Sequence, residues 1–210
     1  MSVQIGAPVN SLSNPTGRLS DCHRRIEMFL GSLEAVSKTI DRPLTEETAQ
    51  ALTLALRYFR EAAPKHTADE EESLFPRLRS VCSSETQAAL AQLEQLGRDH
   101  QWANPVHAEV DRLGQQYLSK SRLSLADAEQ FHIAVGQLVS MYRQHIRVED
   151  QMIFPAADRV LSQADRSSIA RDESPTKRRI RDADLSRKRA KQVVNHSLGL
   201  VGANIETQRN

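Results

Sequence analysis

The sequence has little of several things. Only 4% of its 210 residues are aromatic, and it holds 8 glycines and 2 cysteines. Cys22 and Cys82 form no CxxC pair and no dense framework, which excludes a disulfide scaffold and a thiolate zinc site and fits reduced thiols. No stretch approaches the roughly 18 uncharged apolar residues of a membrane span. The first twenty residues have no basic start followed by an apolar core, so nothing there directs export and the cytoplasm is the expected location. Alternation of β-branched residues is also missing, which argues against a sheet.

What is present is charge and helical periodicity. Residues 161–210 carry 11 Lys and Arg against 6 Asp and Glu, a net of +5, and no aromatic residue; residues 1–160 carry 17 against 21, a net of −4. The expected organisation is a flexible N-terminus over 1–17, one helical domain over 18–160, and an extension over 161–210 with a short helix and then a basic tail. Asp172, Glu173, Asp182 and Asp184 dilute the basic cluster from Lys177 to Lys191, and without an aromatic residue for base stacking it is a poor nucleic-acid site. His196 lies in this tail without partners.

Ile26, Leu30, Leu33 and Ile40 mark a first helix from about residue 20, stopped by Asp41-Arg42-Pro43. Thr45 with Glu46 and Glu47 starts a second through Leu52, Leu56 and Phe59, which Pro64 should bend or divide before helix resumes through His66. Ser84 and Gln87 form a capping box for a third, with a kink or restart expected at Asn104-Pro105 and an end near Lys120. Ser124 opens a fourth, which Phe154-Pro155 should end. Four long amphipathic helices with short links predict an all-α, up-and-down four-helix bundle.

On that frame one motif recurs. HTADEEESLFP from His66 and HIRVEDQMIFP from His145 share His, three residues, Glu, a second acid and a trailing Phe-Pro. His66 and Glu70 differ by about 40° in helical phase, so they leave one face of a helix, and His145 and Glu149 do the same. A lone histidine precedes each motif: His23 by 43 residues and His100 by 45. Both share apolar stripes and should point inward. Four inward imidazoles and two inward carboxylates put costly charge into an apolar core unless a cation neutralises it. Nitrogen and oxygen donors without thiolate suit iron, manganese or zinc, and carboxylates shared between two hairpins suit two ions.

The remaining polar residues are read as structural. His107 is assigned to core or surface over a ligand role, His132 points about 220° away from His145, and Glu71 and Asp150 are assigned to a solvated acidic face over orienting an imidazole. Phe75 and Phe154 are expected to close the bundle end, and Tyr58 and Tyr142 to pack.

The stretches DCHRRIEMFL, KHTADEEESLFPRL, RDH at His100 and QHIRVEDQMIFP resemble the hemerythrin-like family, specifically its HHE cation-binding domain, over approximately residues 18–160. The resemblance implies a four-helix bundle around an oxo- or hydroxo-bridged di-iron centre, with His23 and His66 on one iron, His100 and His145 on the other, and Glu70 and Glu149 bridging. Oxygen-carrying members have a further His one turn after the position of His100, where this chain has Asn104, so open iron positions are expected. The implied partners are dioxygen, nitric oxide or peroxide and, where the centre turns over, a redox partner. A binding or sensing protein is the first reading and a di-iron peroxidase, oxidase or nitric oxide detoxifying enzyme the second. Iron storage or a structural bundle is the third, disfavoured because ferritin-like sites place Glu before His.

Overall fold

The computed structural model describes residues 14–81 and 86–172, and these residues are helical with no strand among them. Helix α1, Pro15–Ser37, begins about five residues before the expected start, because Asn14 caps it by accepting from the Gly17 N–H at 3.0 Å and Pro15 fills its first position. Helix α2, Glu46–Glu61, is capped by Thr45, which accepts from the Thr48 N–H. Pro64 divides the second run as expected, and α3, Ala63–Asp69, follows at once. Helices α4, Phe75–Ser80, and α5, Gln87–Lys120, complete the first half; the capping box at Ser84 lies outside the described residues. Then come α6, Leu125–Val148, capped by Ser124, α7, Phe154–Val160, and α8, Gln163–Asp172, capped by Ser162. The expected short fifth helix is therefore present, whereas the basic cluster and His196 fall outside the described residues.

There is no helix restart at Pro105 and no helix end at Phe154-Pro155. Helix α5 runs unbroken through Pro105. The carbonyl that loses its partner there belongs to Gln101, one turn back on the exposed face, where water can replace the missing amide. Phe154-Pro155 does not end the fourth run either. The π-helical segment Glu149–Ile153 joins α6 to α7, and Glu70–Leu74 likewise joins α3 to α4. In each, the Phe N–H donates five residues back to the Glu carbonyl, at Phe75 to Glu70 and at Phe154 to Glu149. The wider turn leaves room for the following proline ring, which would crowd the carbonyl four residues back in an α-helix. It also turns the chain by about one residue's worth, roughly 100°, bringing each Phe onto the inward face below its Glu.

Helix α1 packs on α2 and α6, and α5 packs on α2 and α6, so the four long helices close a ring. The interior is two apolar clusters. One contains Ile26, Leu33, Leu56, Val110, Phe131 and Leu138; the other contains Leu19, Leu74, Phe75, Leu93, Ile153 and Phe154. On every contributing run the site residues lie between them: Leu19, His23, Ile26 on α1; Leu96, His100, Ala103 on α5; Tyr142, His145, Glu149, Ile153 around the end of α6. No helix among the described residues is long and apolar enough to cross a membrane.

Candidate metal centre

All six predicted residues meet in that layer. Each is at most 6% exposed, and Glu70 and Glu149 are fully buried. The Nε2 atoms converge on the carboxylates: His66 is 3.0 Å from Glu70 Oε1, His100 is 3.6 Å from Glu70 Oε2, His23 is 3.2 Å from Glu149 Oε2 and His145 is 3.3 Å from Glu149 Oε1. His23 also stands 3.7 Å from Glu70 Oε1. Each carboxylate thus turns one oxygen to each histidine pair. Two donor sets result, His23, His66, Glu70 and Glu149, and Glu70, His100, His145 and Glu149, with the donors of each within 4.8 Å of one another.

The electrostatics call for a cation. Among the described residues, none of the four oxygens of Glu70 and Glu149 accepts a hydrogen bond, and His23 Nε2 has no hydrogen-bond partner. Buried acceptors left in this state carry an uncompensated desolvation cost, which a metal ion removes. Without a cation, protons take over part of that role. Burial works against charging His23, but Asp150, Glu149 and Glu70 outweigh it and raise its pKa to about 12. Burial likewise opposes charge on His66, while Glu70 and Cys22 raise it to about 10. Burial pushes the Glu70 carboxyl up, yet His66 and His23 hold it well below the usual carboxylate range.

The outer ring nitrogens explain why Nε2 faces inward. His23 Nδ1 lies 3.0 Å from Asp150 Oδ1, His100 Nδ1 lies 2.8 Å from Glu71 Oε1, and His145 Nδ1 lies 3.3 Å from Asp99 Oδ2. An Nδ1–H donated to a carboxylate leaves the Nε2 lone pair for a cation and makes it more basic. Glu71 and Asp150 are therefore not merely a solvated acidic face: they are partly exposed, and each also braces an imidazole across the bundle. Asp99 was not anticipated; next to His100 in sequence, it reaches His145 instead. His66 differs, with the Cys22 thiol beside its ring. Burial raises the thiol pKa, but His66 and Arg25 together bring it below its ordinary value.

Phe154 stacks on His23 at 5.2 Å and 15°, so it touches the site as well as closing the bundle end, while Phe75 belongs to the end cluster alone. His132 is exposed, as its phase predicted. His107 is not among the converging donors; it stacks on Phe59 and its Nε2 is 2.9 Å from the Tyr142 hydroxyl. Burial lowers its pKa to about 4, which keeps it neutral. Tyr58 stacks on Phe29 at 4.4 Å, in line with packing.

The comparisons agree with the geometry. An uncharacterized protein of Haemophilus influenzae is 23% identical over 141 residues, covering 67% of this chain and 77% of the relative. The family described as Hemerythrin HHE cation binding domain matches residues 14–157, a span that begins at the cap of α1 and includes all six converging residues. This chain belongs to the hemerythrin HHE cation-binding domain family.

Proposed function

We propose that the chain is a non-haem di-iron protein that binds or senses a small ligand, dioxygen, nitric oxide or peroxide, in oxygen, nitrosative-stress or iron handling. His23 and His66 hold one ion, His100 and His145 the other, and Glu70 and Glu149 bridge them within an up-and-down four-helix topology, for which the closed ring of long helices is the support. The observation that carries this reading is the division of each buried carboxylate between the two histidine pairs, with no hydrogen bond to any of its oxygens. A single ion would need only one such set. Two imidazoles and two carboxylate oxygens per ion leave coordination positions open, and iron bound there supplies redox chemistry and Lewis acidity to a small ligand. The chain's own part is to hold the donors, orient the imidazoles and keep bulk water from the layer.

Metal analysis with an absorption spectrum of protein reconstituted anaerobically with ferrous iron tests the reading. About two irons per chain are expected, one for each set of four donors. One zinc, or no iron, would sink it. The carboxylates on Nδ1 give a graded check. Asp150→Asn should weaken iron binding at the His23 set by about ten- to a hundredfold, and Glu71→Gln should do so at the His100 set. Competition against a calibrated chelator reads both; equal weakening of the two ions by either change would contradict the assignment.

A further inference from the structure

A cavity of 240 Å³ opens between α2, α3, α5 and α6. Its walls include Leu56, Phe59, Ala63, Ala103 and Val110, and its mouth carries the Arg60–Asp111 ion pair. At its inner end are Ala63, Thr67, His100 and Tyr142, and the same four side chains line the space between the imidazoles. Over the other histidine pair, Phe154 covers His23 and Cys22 lies against His66. The two halves of the site are thus unequal. Asn104, one turn beyond His100, lines the cavity.

Tyr142 is the polar group placed where the cavity meets the metal layer. Its ring is 6.3 Å from that of His145 and 6.2 Å from Phe59, and its hydroxyl is held by His107 Nε2 at 2.9 Å. When His107 donates its Nε2–H to the phenol oxygen, the phenolic O–H is free to donate to a molecule arriving at the inner end. The volume is below the roughly 300–1,000 Å³ of pockets for drug-sized ligands, and the largely apolar lining favours neutral molecules over ions.

We propose that this cavity is the entry and holding chamber for a small neutral ligand, a diatomic gas or hydrogen peroxide, that the ligand meets the site on the His100 and His145 side, and that the Tyr142 hydroxyl, positioned by His107, donates the hydrogen bond that retains it. The proposal rests on the metal-binding function above. It makes Tyr142 a ligand-contacting residue and His107 a positioning residue.

Nitric oxide binding to the ferrous protein, followed by stopped-flow absorption, separates these roles. Ala108→Trp places bulk at the exposed rim, and Ala103→Leu fills the chamber from inside. Each should slow association about tenfold while iron content and the final spectrum stay as in the unmodified chain. Tyr142→Phe keeps the ring and removes the donor, so association should persist while dissociation becomes about tenfold faster. His107→Leu should reproduce that change, and the double variant should add little to either. Iron-loaded rim and chamber variants with unaltered association, or a Tyr142→Phe with unaltered dissociation, would overturn the proposal. An unmodified chain that takes up no iron would instead defeat the function proposed above. In that event xenon uptake by the metal-free protein still reads the chamber, and absence of xenon from it would refute the chamber.

Discussion

Replacing Glu149 by alanine should empty both metal positions, not one. Its Oε2 faces His23 and its Oε1 faces His145, so one substitution removes a donor from each histidine pair. Glu70 divides itself in the same way between His66 and His100, and Glu70→Ala carries the same expectation. Charge makes the loss larger than three remaining donors would suggest. Two divalent ions opposite one carboxylate leave net positive charge in a layer with no solvent to screen it. Loss should exceed the ten- to hundredfold range of changes at the outer nitrogens, leaving under about a tenth of the iron after gel filtration. Helical circular dichroism should persist, because the apolar clusters above and below the layer are untouched. Iron should no longer raise the melting temperature, whereas in the unmodified chain a metal held at a hundred times its dissociation constant adds about 2.7 kcal/mol. One iron per chain retained by Glu149→Ala would mean that the carboxylates are not shared.

The second large effect is a pair of opposite pH slopes. In the metal-free protein His23 and His66 are raised to about 12 and about 10 from an ordinary 6.5. Their stabilising contribution is therefore complete below 6.5 and is lost as pH climbs toward those values. Glu70 runs the other way: its carboxyl is depressed below 4.5, so its contribution disappears as pH falls through the lowered value. The metal-free chain should consequently melt at lower temperature as pH rises from 6 to 9. Metal binding needs neutral Nε2 atoms and must expel those protons. Displacing two protons makes the apparent affinity climb about a hundredfold per pH unit over the same range. Melting curves with and without iron, together with proton release in weak buffer, read both slopes. Parallel slopes, or loading without proton release, would contradict the protonated layer.

The donor set was legible in the sequence because every member obeys the phase of its own helix. His66 with Glu70 and His145 with Glu149 share a face by spacing, and His23 and His100 sit in apolar stripes. Less legible were residues that act across a helix pair. Asp99 is a neighbour of His100 in the chain but of His145 in space, and Glu71 and Asp150 have outward phases that nonetheless reach an imidazole at the seam. The Phe154-Pro155 step misled for a different reason. Proline stops a helix only if the turn is α, and a single π turn after each Glu removes the clash. Pro105 does not restart the helix because its lost bond falls on the wet face of α5. The cavity had no sequence signature at all, since its walls come from α2, α3, α5 and α6.

The polar layer between the two apolar clusters has a consequence for how the molecule comes apart. Hydrophobic contact is what makes distant segments unfold together, and here it is interrupted between an end where α4, α7 and α8 pack on the first turns of α1 and α5 and one built from the remainder of the long helices. Without a cation the amides of α4 and α7 should exchange through local openings that the long-helix cluster does not share. Metal held by the donors of α1, α3, α5, α6 and the two π-helical segments would tie the two ends together, so its occupancy should be readable in the exchange rates of amides far from any ligand.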